Sequence, residues 1–83
     1  MKYLFISLEV YDGERIHDHR ILETTNGNDI YFAAQKCAAT YWGLGKLEDE
    51  KWWFNNEIAI KLKKVEELTK EKFDELWKLF YHQ

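Results

Sequence analysis

Leu4, Ile6, Leu8 and Val10 alternate with Tyr3, Phe5, Ser7, Glu9 and Tyr11. A period of two places these sets on opposite faces of a strand over residues 2–11. Asp12-Gly13 follows, a dipeptide that tolerates positive φ and favours a hairpin turn. Residues 14–25 read as the returning strand, and Asn26-Gly27-Asn28 breaks it. Asn28 or Asp29 then has the short oxygen-bearing side chain that caps a helix. Ile30, Ala33, Ala34, Cys37 and Tyr41 recur at helical spacing, and Gly43 is a natural C-cap. Residues 43–50 read as a loop.

Residues 51–54 predict a short strand, Asn55-Asn56 a two-residue turn, and residues 57–62 a further strand with Ile58, Ile60 and Leu62 on one face. After Lys63-Lys64 the phase moves to Val65 and Leu68, the signature of a bulge or of an extension out of the sheet. Thr69 caps a last helix. Leu68 and Phe73 have the spacing of a hydrophobic staple, Glu71 complements the helix dipole, and Asp74 to Lys78 is a supportive pair. Phe73, Leu76, Trp77 and Phe80 form its buried stripe. The element order is ββαββα. It predicts a single α+β domain over residues 1–83, a four-stranded antiparallel sheet with both helices on one face.

Composition narrows the picture. The chain has 83 residues, and 12 Lys+Arg against 15 Asp+Glu leave a net charge of −3. Phosphate binding draws on a surplus of Lys and Arg, so this balance argues against nucleic acid. One cysteine cannot form an internal disulfide. Residues 3–10 are apolar but interrupted by Ser7 and Glu9, too short for a membrane span and without a cleavage signal. The expected setting is the cytoplasm, with no membrane partner.

The runs Ala38-Ala39-Thr40-Tyr41-Trp42-Gly43 and Trp52-Trp53-Phe54, followed by strand, capping Thr69 and helix, resemble small proteins of phages and mobile elements. The resemblance covers most of the chain. It implies no assigned chemistry, but a class: a compact accessory or inhibitor protein that binds a host factor.

Catalytic residues are not apparent. His17 and His19 share a strand face and could supply two metal ligands. A third would have to come from His82, Cys37 or a carboxylate, and nothing in the spacing fixes one, so neither a metal nor another cofactor is expected. Cys37 lies on an apolar helix stripe, where a small packing residue is the common case. Ser7 lacks a strand–turn–helix elbow. Gly43-Leu44-Gly45-Lys46 lacks Walker spacing. Glu48-Asp49-Glu50 reads as a solvated loop tip.

The aromatics remain: four Trp, five Tyr and five Phe. With helices over the Leu4 face and a two-residue turn at Asn55-Asn56, Trp53 points inward. Tyr3, Phe5, Tyr11, Trp52 and Phe54 point outward, with Arg20 and Lys61 among them. Such a patch predicts protein binding, to a host factor or to a second copy in a homodimer. The alternative is single-stranded nucleic acid stacked on the same face. A third reading makes these aromatics ordinary packing. Tyr31, Phe32, Trp42 and Tyr81 have no assigned place.

Overall fold

The computed structural model describes residues 1–81. Strand β1 (Lys2–Asp12) pairs antiparallel with β2 (Arg15–Thr25) through a two-residue loop. Gly13 takes φ +62° at the first loop position, the place where hairpins of this kind use glycine. Helix α1 (Ile30–Ala39) follows. Asp29 caps it, accepting hydrogen bonds from the Tyr31 and Phe32 amides at 3.0 and 3.1 Å. Three strands come next: β3 (Lys46–Glu48), β4 (Lys51–Trp53) and β5 (Ile58–Leu68). Helix α2 (Lys70–Tyr81) follows, with the Thr69 hydroxyl accepting from the Lys72 amide.

The class is α+β, but the sheet has five strands in the order β2-β1-β5-β4-β3, all antiparallel. The extra strand is β3, in the segment read above as loop. Lys46, Leu47 and Glu48 are too few to show a period, so only their pairing with β4 reveals them. The β3–β4 loop is Asp49-Glu50, both in the left-handed region, at φ 55° and 63°. That is the backbone of a type I′ turn, which normally takes Asn-Gly. A non-glycine residue there costs about 1–2 kcal/mol. Glu50→Gly is therefore expected to stabilise the fold by about 1 kcal/mol, read as a rise in the thermal midpoint, even though it removes the weak, exposed Glu50–Lys61 pair at 3.9 Å.

The second correction concerns the helices, which lie on opposite faces. Leu4, Ile6, Leu8, Val10 and Ile60 are buried with Ala34 and Ala38 of α1 in one core cluster. The small alanines let the helix approach the sheet closely. On the other face, α2 places Phe73 5.1 Å from Tyr3 and Phe80 6.1 Å from Phe5. The cause is local. Leu68 ends β5 opposite Tyr3, and Thr69 alone separates strand from helix, so α2 comes down on the Tyr3 side. Leu22, opposite Phe5 in β2, is buried there as well.

The phase change in β5 is a bulge. Ser7 pairs with Lys64 and Leu8 with Leu62, leaving Lys63 unpaired. The extra residue keeps Ile60, Leu62 and Val65 on the α1 face despite their uneven spacing. No helix among the described residues is long and apolar enough to cross a membrane.

Candidate functional site

Strand pairing places the seven residues expected to form an aromatic face. Tyr3, Phe5 and Tyr11 of β1, Arg20 of β2 and Lys61 of β5 do share one side of the sheet, the α2 side. Trp52 and Phe54 do not. Trp52 pairs with Ile60 and Trp53 with Ala59, and the Phe54 amide donates to the Ile58 carbonyl at 2.9 Å. The connection is one residue longer than the expected turn. Asn55 spans it, its side-chain oxygen accepting from the Glu57 and Ile58 amides at 2.7 and 2.8 Å. A slip of one residue turns every side chain of a strand over. Trp52 and Phe54 therefore pack against the α1-side core, and Trp53 moves to the α2 side.

The α2 side is not an open aromatic face either. Tyr3 and Phe5 lie under α2. Beyond the helix comes a charged belt: Arg20, Ser7 and Lys64 in one row, Asp18, Glu9 and Lys61 in the next, and the Lys51–Glu48 pair of the β3–β4 hairpin. Lys63 pairs with Asp18 at 3.4 Å. Past the belt, Tyr11 and Trp53 flank the fully buried Ala59. Lys51 stands 5.0 Å from the centre of the Tyr11 ring, and the Trp53 indole donates to the Glu48 carbonyl at 3.0 Å. Partial burial, with the Glu9 carboxylate accepting the phenol hydrogen bond at 3.0 Å, raises the Tyr11 pKa and keeps the hydroxyl neutral.

The α1 side holds what sequence reasoning missed. A hollow opens between α1 and the β3–β4 hairpin, lined by Tyr31, Gln35, Leu47, Trp52 and Leu62, with Glu50 and Lys61 also at its wall. Its floor is apolar. Of the seven expected residues, Trp52 lies in it, while Lys61, set on the α2 side by its pairing, borders it beside Glu50, 3.9 Å from the Lys61 Nζ. Tyr31 and Leu47 are 55% and 60% exposed, so large apolar surface stands open beside a half-buried tryptophan. Leu47 sits alone in a charged run, and Tyr31 breaks the polar face of α1. Only the tertiary structure brings the two together. Along the same side, Trp42 is edge-on to Tyr41 at 4.9 Å and to Phe54 at 5.8 Å.

The remaining chemical candidates lie apart from the hollow. His17 and His19 share the α1 face of β2, and His19 Nδ1 lies 2.9 Å from the Tyr41 hydroxyl. Among the described residues no three His, Cys, Asp or Glu side chains gather as a metal site; His82 lies outside them. Cys37 has its thiol pKa raised, by burial first and then by the Glu23 carboxylate, whose Oε2 is 4.0 Å from Sγ. A thiol held protonated is a poor nucleophile.

Comparisons with protein-family models, with curated proteins and with solved structures found no match for this chain.

Proposed function

We propose that this chain works by binding another protein, without catalysis, and that the hollow between α1 and the β3–β4 hairpin is the contact surface. The observation that carries this reading is its make-up: an apolar floor of Trp52, Leu62, Leu47 and Tyr31, rimmed by Gln35 and by Glu50 and Lys61. An aromatic anchor in a pocket with a polar rim is the anatomy of an interaction hot spot. The accessory or inhibitor role implied by the resemblance to phage and mobile-element proteins belongs to this class, with a host factor as partner. Protein is favoured over single-stranded nucleic acid because α2 occupies the Tyr3 and Phe5 rings on which bases would stack.

The test is capture of a partner from extracts of the cells that make the protein, with quantified binding. Leu47→Glu puts a charge on an exposed apolar position of a short edge strand and leaves the core untouched. It is expected to weaken binding by about 2 kcal/mol, the size of a hot-spot loss. Unchanged capture by Leu47→Glu excludes the hollow. Retention of single-stranded oligonucleotides at low salt supports the nucleic-acid reading instead.

A further inference from the structure

The opposite edge of the sheet carries a separate inference. Strand β2 is an edge strand of eleven residues, with no neighbour beyond it among the described residues. Long bare edges are templates for pairing.

The backbone fixes which residues would take part. The Gly13 amide donates to Glu57 at the end of β5, so Asp12 faces β2 and closes the hairpin with Arg15. Alternation then leaves the peptide groups of Ile16, Asp18, Arg20, Leu22 and Thr24 pointing to the free edge. In agreement, the Thr24 amide is taken by a side chain, Glu23 Oε1 at 3.1 Å, and not by a strand.

We propose that two copies of the chain pair through β2, antiparallel about a two-fold axis at His19, joining two five-stranded sheets into one. This register sets Asp18 of each copy against Arg20 of the other on the α2 side. On the α1 side it sets Arg15 against Glu23, which gives up its bond to the Thr24 amide. Every charged residue from Arg15 to Glu23 then meets its opposite. Sliding one strand by two residues sets Asp18 against Asp18, or Arg20 against Arg20, and like charges directly opposed are unfavourable. An odd slip turns the free peptide groups away from one another.

An apolar contact supports the same register. Ile16 is 59% exposed on the α2 side of the hairpin end. The pairing brings it opposite Leu22 of the other copy, beside the Trp77 that lines a cleft with Leu22 and Phe73. Trp77 is itself 46% exposed. Each two-fold contact occurs twice, as an isologous interface requires.

The test is sedimentation equilibrium on the full chain, with circular dichroism to show that each variant is folded. Wild type is expected at twice the chain mass. Arg20→Asp leaves the Lys63–Asp18 pair in place and should raise the dimer dissociation constant roughly tenfold or more, because two cross-strand pairs turn repulsive. Asp18→Arg should do the same. The double variant Asp18→Arg, Arg20→Asp restores opposite charges and should recover most of the affinity. Wild type at monomer mass up to its solubility limit overturns the proposal. So does a dimer indifferent to Arg20→Asp, or a double variant as weak as the singles.

Discussion

Phe73→Ala is expected to release helix α2 from the sheet and to cost about 3–5 kcal/mol, the range for removing a buried aromatic ring. Phe73 is the buried residue of this helix, and its ring joins Tyr3 on β1 to Trp77 on the next turn, at 5.1 and 5.7 Å. A twelve-residue helix is marginal in water and depends on docking for its stability. The loss is a large part of the roughly 5–15 kcal/mol that holds a domain together. Urea denaturation gives the magnitude. Amide hydrogen exchange gives the location: amides of residues 70–81 should lose protection, while those of β1 beneath α1 keep it. Uniform loss of protection would mean that α2 and the sheet unfold as one unit.

Trp52→Ala is expected to cost about 2–3 kcal/mol, less than a fully buried tryptophan because the ring is partly open to solvent. The ring packs against the core cluster and stands opposite Ile60 in β5 and Leu47 in β3. Its removal should also take away the floor of the proposed binding surface, so affinity falls with stability. Leu47→Glu should affect affinity alone, and the two variants together separate fold from contact. The measurement is chemical denaturation beside partner titration. A Trp52→Ala protein as stable as wild type would return this side chain to the solvent side and restore the shorter turn.

Long periods were legible as elements, but not always as burial: of the α2 stripe only Phe73 is buried, while Trp77 and Phe80 stay 46% and 39% exposed. The alternation over β1, a cap at Asn28 or Asp29, the stripe of α1, the phase change after Lys63-Lys64 and the cap at Thr69 all follow from spacing and side-chain chemistry. What escaped were contacts decided by one residue. The turn at Asn55 takes one residue more than its sequence suggests, and that step exchanges the faces of Trp52 and Trp53. Both faces of β1 are rich in large side chains, so its pattern does not say which of them receives α2. The single residue between β5 and α2 decides it. β3 carries no pattern at all and exists because β4 offers it an edge. The hollow depends on all of these choices at once, so Trp52 could be named in advance but not placed in it.

The order in which the strands pair bears on how the chain folds. β1 lies between β2 and β5, and its partner in β5 arrives late: Tyr3 waits for Leu68. Pairing between distant segments carries a loop-closure cost and slows folding. During synthesis the β1–β2 hairpin and α1 are made well before β5, which leaves the inner edge of β1 bare. That edge stays open until β5 has been made. The β1–β2 hairpin therefore needs cover during that interval, and its open β1 edge is a route to aggregation on overexpression.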